Sequence, residues 1–381
     1  MTPAAILAVG LALCAPARGE NPGVTGAEVL KIPMGSRALG MGGAFTAVGT
    51  DASALYYNPA GMSRLNAHEV ALTFLSGLDD NTLQQVVYAG PTPFTGISDN
   101  GYTSAGASVL FSQNGTIEVN RLNPDGSLLN SQRVRAGSDF VATAGYSERV
   151  GSMPLEFKEA SYRLNHFMGI SGKFVRSSLA GGYSAQTFAA DAGYLVHSPE
   201  AGLSAGVALL NVGKSMRFIN EGDPLPLTAR WGLAYQFAVP SVHNLIAAAD
   251  GEYLLYEKQL HADIGVEYFW LKNYGLRFGY QFLRDALGLT MGFGVRWRGR
   301  LLFDYAWGLA ESLSDTHRFT ISYRFGGVTP AARNRQRRPF IELAPEKGQL
   351  EDGEEAAPAS EAPPRRGLQR ERSDGIPGWI Y

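Results

Sequence analysis

The stretch Leu287-Gly288-Leu289-Thr290-Met291-Gly292-Phe293-Gly294-Val295-Arg296-Trp297 decides the architecture. Its odd positions are Leu, Leu, Met, Phe, Val and Trp, and its even positions are Gly, Thr, Gly, Gly and Arg. A period of two places each set on one face of a β-strand. Three neighbouring stretches repeat the pattern. Leu260, Ala262, Ile264, Val266, Tyr268 and Trp270 oppose His261, Asp263, Gly265, Glu267 and Phe269. Tyr274, Leu276, Phe278, Tyr280 and Phe282 oppose Gly275, Arg277, Gly279 and Gln281, and Leu227 to Phe237 alternates likewise around Arg230. A soluble sandwich also alternates, but its polar face is not rich in glycine, and its apolar face does not regularly end in Trp and Tyr. A strand with one greasy face and one wet, small-residue face suits the wall of a barrel in lipid.

Outward from this stretch, alternating segments are predicted at 68–75, 82–90, 103–112, 138–147, 162–176, 183–197, 201–211, 227–238, 243–254, 259–271, 273–283, 287–297, 300–309 and 316–325. These make fourteen strands, an even number, and many have the roughly 9–11 residues that cross a bilayer at a tilt. The expected fold is therefore all-β, a 14-stranded antiparallel transmembrane barrel. Short connections near 198–199, 240–241, 272–273 and 298–299 fall at one end, and long loops near 113–137 and 212–226 at the other. That asymmetry sets the short-turn end in the periplasm. The loop 113–137 is expected to hold its own hairpin, turning at Pro124-Asp125-Gly126, while 147–161 is a long connection on the wrong side. Tyr235, Phe237, Trp270, Tyr274 and Trp297 gather near the short turns, and Trp231, Tyr253, Phe282 and Trp307 near the long loops. Two aromatic girdles are what two membrane interfaces favour. Val266 and Phe293 are assigned to the lipid face, and Arg230, His261, Asp263, Glu267, Arg277 and Arg296 to the lumen as candidate polar lining.

Composition agrees with this. Glycine is 46 of 381 residues, aromatics are 11%, charged residues only 18%, and net charge is −2. A nucleic-acid binder needs a basic face that this balance does not supply. The single cysteine, Cys14, excludes a disulfide scaffold and a multi-cysteine metal site. No apolar run is long enough for a transmembrane helix, so an exported, greasy chain is left with a closed barrel.

Both ends differ from the middle. Residues 6–14 are apolar and lead into Ala15-Pro16-Ala17, so 1–19 are expected to be a secretory signal, although Met1-Thr2-Pro3 carries no basic residue. Leu13 stands where a lipidated cysteine at 14 would want a small residue. After Gly326-Gly327, the chain holds seven of its 20 prolines, nine basic and nine acidic residues. Such a segment cannot offset chain entropy by burial, so 327–381 are expected to be a disordered periplasmic tail.

Between the signal and the first strand lie Gly35-Ser36-Arg37-Ala38-Leu39-Gly40-Met41-Gly42-Gly43-Ala44 and Asp51-Ala52-Ser53-Ala54-Leu55-Tyr56-Tyr57-Asn58-Pro59-Ala60-Gly61-Met62. This block resembles the N-terminal signature of the FadL superfamily of outer-membrane barrels, and within it the PorV/PorQ branch associated with type IX secretion. The resemblance implies that residues 20–66 form a hatch in the lumen of a barrel spanning 67–326. Its motif residues are then Gly40, Gly42, Gly43, Asn58, Pro59, Ala60 and Gly61. Glycine allows close backbone approach and positive φ, and Asn-Pro favours a turn. A phosphate-loop reading of Gly40-Met41-Gly42-Gly43 fails, because Phe45 stands where a third glycine is required and no strand precedes it.

Enzyme chemistry finds little support. The six histidines, at 68, 166, 197, 243, 261 and 317, form no H-E-x-x-H, so no metal or cofactor is expected. Gly202-Leu203-Ser204-Ala205-Gly206 fits G-x-S-x-G but lies inside a strand rather than on a strand-to-helix turn. The resemblance implies a non-enzymatic channel for hydrophobic small molecules such as long-chain fatty acids or aromatic hydrocarbons. The alternative is a PorV-like shuttle or scaffold for secreted proteins. The expected partners are outer-membrane lipids, the barrel assembly machinery, and either a hydrophobic ligand or an exported protein.

Overall fold

The computed structural model describes residues 23–327, apart from 78–80, 99–101, 158–159, 181, 238–242, 284–287 and 310–314. The expected signal and the tail from residue 328 onward lie outside the described residues. The strands are β1 (His68–Ser76), β2 (Thr82–Pro91), β3 (Thr103–Leu122), β4 (Leu128–Phe157), β5 (Ala160–Leu179), β6 (Ser184–Ser198) and β7 (Leu203–Gly213), then a two-residue hairpin β8 (Met216–Arg217) and β9 (Gly222–Asp223). They continue as β10 (Thr228–Phe237), β11 (Asn244–Leu254), β12 (Gln259–Trp270), β13 (Tyr274–Phe282), β14 (Leu289–Trp297), β15 (Leu301–Gly308) and β16 (Thr316–Phe325). Leaving out β8 and β9, fourteen strands pair antiparallel in chain order, and β1 closes on β16. Each predicted strand has its counterpart.

The end of the barrel where His68 pairs with Phe325 is called the near end, and the end where Ser76 pairs with His317 the far end. Side-chain facing follows the predicted parity. Val266 is 43% and Phe293 45% exposed on the outside, while Glu267 and Arg277 are fully buried on the inside. On the outer surface Trp231 lies over Gly251, opposite it on β11, where even a Cβ would fall 2.3 Å from the indole. Four histidines bond a tyrosine hydroxyl on the adjacent strand: His68 with Tyr88 (2.9 Å), His166 with Tyr194 (2.6 Å), His243 with Tyr268 (3.0 Å) and His317 with Tyr305 (2.8 Å). The scattered histidines thus serve as polar halves of rim pairs.

Two segments read as connections are strand. The far loop is a ribbon in which Ile117 pairs with Val134 and Val119 with Gln132, turning where the Gly126 amide donates to the Asn123 carbonyl at 2.9 Å. The hairpin expected there is present, and it is an unbroken continuation of β3 and β4. The near connection 147–161 is a correction: β4 runs on to Phe157, and Met153 pairs with Leu164 and Leu155 with Tyr162. Pro154 argues for a loop because a central strand rejects proline. The ribbon accepts it because the ladder with β3 ends at Thr103–Glu148, leaving that edge of β4 open.

Residues 23–66 fill the bore as short helical turns, Glu28–Lys31, Ser36–Gly40, Ala54–Tyr57 and Pro59–Arg64. The core lies between this plug and the wall. At the far end Val29, Leu30 and Met34 pack with Leu75, Leu110, Val141 and Val175. In the middle Phe45, Ala47 and Tyr57 pack with Ala234, Ile246 and Ala248. Small inward residues on the strands leave room for a chain inside.

Candidate functional site in the plugged lumen

The plug runs the whole length of the bore. At the far mouth the Gly26 amide donates to the Pro224 carbonyl (2.9 Å), Thr25 donates to Glu257, and the Lys31 ammonium sits 2.7 Å from the same carboxylate. Tyr56 and Tyr57 reach back to the carbonyls of Leu30 (2.6 Å) and Met34 (2.9 Å), tying the first stretch to the second. At the near end Ser63 bonds Ser147 at 2.7 Å, and Arg64 donates to the carbonyls of Ala47 and Val48. The chain then turns into β1.

Glycines set the contact between plug and wall. Gly42 has φ +69°, and a Cβ on it would lie 2.7 Å from the Ile264 carbonyl oxygen. On the wall, Gly265 and Gly279 stand opposite each other on β12 and β13. A Cβ would come within 2.2 Å of the Met41 carbonyl oxygen from the first and 2.1 Å of the Gly42 nitrogen from the second. Across the bore Gly169 and Gly193 pair on β5 and β6, against Ala60 and the Asn58 side chain. Backbone meets backbone at van der Waals distance, which only glycine permits. Gly40 abuts Gly292, Gly43 (φ +88°) lies beside Asp263, and Gly61 abuts Gly49.

Polar groups complete the fastening. The Asn58 amide donates to the carbonyls of Thr46 (3.0 Å) and Tyr194 (3.2 Å), and its oxygen accepts from the Ala60 amide (3.1 Å). Pro59 opens the following turn, where its missing N–H costs nothing. The Gly42 amide donates to Thr290 (3.0 Å), and its carbonyl accepts from Gln281 (2.9 Å). Arg230 bonds the Gly43 carbonyl (3.0 Å) and Glu252 (3.1 Å), with Asp250 at 3.4 Å and Asp263 at 3.9 Å. Asp250 in turn accepts the amides of Phe45 and Thr46. Glu267 binds Arg37 of the plug through both oxygens (2.6 and 2.7 Å) and Arg277 of the wall (2.7 Å), which also reaches Asp304 (2.7 Å). Arg37 reaches Asp51 at 3.0 Å as well. Burial opposes the Arg37 cation, but the Glu267 and Asp51 carboxylates outweigh it and raise its pKa well above the ordinary arginine value. Arg64 has no such neighbour to offset burial and is lowered to about 10, with the Arg37 charge adding to the effect. Of the predicted lumen residues, Arg230, Asp263, Glu267 and Arg277 are buried in this lattice. His261 and Arg296 face inward half-buried, His261 opposite Glu252 and Arg296 over the Phe269 ring at 4.7 Å.

Sequence reasoning missed the partners Arg37, Asp51, Asp250 and Asp304. A charge at an inward position of a strand with an apolar outer face was the signal available for Asp250 and Asp304. Nothing in the sequence pairs Arg37 with a particular wall carboxylate. The G-x-S-x-G serine does meet a histidine: Ser204 lies 2.9 Å from His197 Nδ1. However, the Arg64 guanidinium, not a carboxylate, stands 3.5 Å from that same nitrogen. A cation there opposes formation of an imidazolium, the reverse of what a nucleophile-activating base needs.

Two cavities flank the plug. The far one, small at about 20 Å³, lies against β2–β5 and is lined by Leu30, Leu55, Tyr56, Val87, Leu110 and Val141, with the Lys173 side chain at its border. Lys173 is held by Asp191 at 2.9 Å. Asp191 also accepts the Asn211 amide at 2.8 Å, where the ladder between β6 and β7 shifts register. The near cavity, also about 20 Å³, is lined by Arg37, Arg277, Arg296 and Arg324 with Asp51, Glu69 and Asp304.

Residues 8–158 match UPF0164, an uncharacterised protein family. A UPF0164 protein of Treponema pallidum is 30% identical over 200 residues, covering 52% of this chain and 45% of that protein. The chain thus spans about half the length of the curated relative it matches. Among solved structures, it is similar to the Ralstonia pickettii toluene transporter TbuX (TM-score 0.48, 11% identity, 77% of this chain and 98% of the other). It is similar to the Pseudomonas putida toluene transporter TodX (0.48, 15%, 78% and 99%) and to a Pseudomonas aeruginosa FadL homologue (0.41, 11%, 77% and 98%).

Proposed function

We propose that this chain spans a bacterial outer membrane, near end to the periplasm, and passes hydrophobic small molecules through its plugged lumen without catalysis. The observation that carries this reading is the small apolar cavity between the plug and β2–β5, which takes a ligand when the upper plug gives way. An apolar pocket with one cationic border is the chemistry of a site for a greasy ligand. Long-chain fatty acids and small aromatic hydrocarbons both fit that description. The ligand enters at the far mouth, past residues 23–31 and the β7–β10 loop that lies over them. Below the cavity, the Arg37–Glu267 pair and the Asn58 contacts hold the plug, so ions and sugars are excluded while the upper plug gives way. Release runs sideways at the β6–β7 register shift, where Asp191 ties the wall irregularity to the cavity through Lys173.

Uptake of labelled toluene or of a labelled long-chain fatty acid by cells carrying Leu55→Trp tests this. The indole overfills the small cavity and blocks its opening to a ligand, so uptake falls to background while the barrel still assembles. Undiminished uptake of both ligands overturns the reading, and exported proteins that copurify with the barrel would instead support a secretion scaffold.

A further inference from the structure

The wall is far taller on one side. β3, β4 and β5 have 20, 30 and 20 residues, whereas β13, β14 and β15 have 9, 9 and 8. The extra length is largely apolar on its outer face, with Gln132 opposite Val119 as a polar exception. Strand pairing keeps parity, so above the rim Ile117, Val119 and Val134 continue the outer face of Val109 and Phe111. Below the rim, Met153, Leu155, Tyr162 and Leu164 continue the outer face of Met168 and Ile170. Ile117 is 45%, Met153 56% and Leu155 48% exposed. The opposite face of each ribbon is polar: Thr116, Glu118, Arg133 and Arg135 at the far end, Ser152, Arg163 and Asn165 at the near end.

From the level of Val119 to that of Leu155, at about 3.4 Å per residue and a tilt of about 40°, this strip rises roughly 60 Å, against an apolar band about 25 Å tall in such barrels. Lipid therefore covers less than half of it. The remainder stands in water on both sides of the bilayer with open strand edges. At the level of Thr103 and Glu148 the segment 94–98 lies over the strands, the Ile97 amide donating to Glu148 at 2.8 Å, and its exposed Phe94 and Ile97 carry the apolar surface across that level.

We propose that the outer face of β3–β5 is the interface of a homodimer, with the two-fold axis along the membrane normal. Both overhangs rise from the same three strands. A soluble partner can cover one of them. An occupant that covers both must cross the bilayer and project to the same heights above and below it, and a second copy of this chain has those dimensions. Insertion gives every copy the same orientation, so a two-fold brings like levels together and the interface is isologous. A strip roughly 60 Å tall and about two strand spacings wide buries roughly 1,200 Å² in total, within the range of stable interfaces. This inference rests on the reading that the barrel spans an outer membrane and not on what it transports.

Cysteine is otherwise confined to residue 14, so Val119→Cys and Met153→Cys report cleanly. In native outer membranes, a bismaleimide should convert each variant to a band of twice the barrel mass. Glutamates at Ile117, Val119, Met153 and Leu155 together should leave a heat-modifiable barrel that is monomeric by native mass measurement in lipid nanodiscs, where the wild type is dimeric. A monomeric wild type overturns the proposal. So does a cross-linked adduct to a different protein at either cysteine, or a dimer that survives the four glutamates.

Discussion

Gly279→Ala adds one carbon at the tightest point between wall and plug. The new Cβ would stand 2.1 Å from the Gly42 nitrogen. The atom it meets is backbone, held in a turn with φ +69°, so it cannot rotate away. To reach an ordinary 3.4 Å contact the plug must retreat by about 1.3 Å. That displacement takes the Gly42 amide from Thr290 and its carbonyl from Gln281, bonds of 3.0 and 2.9 Å. The amide keeps the Leu39 carbonyl at 2.8 Å within the plug, so the groups stranded are the Gly42 carbonyl and the Gln281 side-chain amide. Each buried polar group left without a partner costs about 1–3 kcal/mol, so detaching this turn costs about 2–6 kcal/mol. The wall keeps its ladder, because alanine suits an inward strand position. Amide exchange at residues 41–45 should accelerate by one and a half to four orders of magnitude, with β13 still protected. Planar-bilayer recordings should show a new conductance for small ions. Gly172→Ala is the control, since nothing lies within 4 Å of a Cβ there. Unchanged exchange at residues 41–45 would refute the claim that backbone contact at this glycine seats the plug.

Glu267→Gln removes the carboxylate that Arg37 and Arg277 share. Two buried cations lose a counter-charge, at about 3–5 kcal/mol, and the urea midpoint of the folded barrel should fall by one to three molar. Val266→Arg or Phe293→Arg places a charge in the apolar wall at about 2–4 kcal/mol near the midplane, and should reduce the heat-modifiable band on gels. Ser204→Ala should leave ester hydrolysis by the purified barrel at the level of the unsubstituted protein, because Arg64 beside His197 denies the serine a base. A drop in hydrolysis would show that the dyad is active.

The wall was legible because an apolar outer face and a plug-facing inner face impose opposite demands on alternate residues. Segments such as Leu287–Trp297 carry that conflict openly. Where the strands run past the rims of the closed barrel, the demand relaxes. Met153-Pro154-Leu155-Glu156 then resembles a loop, although its outer side chains keep the parity of Met168 and Ile170. Inward parity found Asp263, Glu267 and Arg277 but not their partners. A wall carboxylate shows its face through strand period, whereas Arg37 lies in a segment of short turns with no period to read. The role of Gly265 and Gly279 was half visible: glycine marks the wet face, yet only register shows that the two are opposite each other and that a backbone lies across them.

The plug begins at the far mouth, beside Pro224 and Glu257, and ends at the near rim, where β1 pairs with β16. A chain laid out this way is a thread through its own needle. The described chain therefore enters the bore at one mouth and leaves the wall at the other: Gly26 is tied to Pro224 at the far end, and Phe325 pairs with His68 at the near end. A pull on Gly23 away from the far mouth would load the plug along the axis of the bore, breaking its fastenings in sequence from Thr25 inward, and would leave the ladders of the wall untouched.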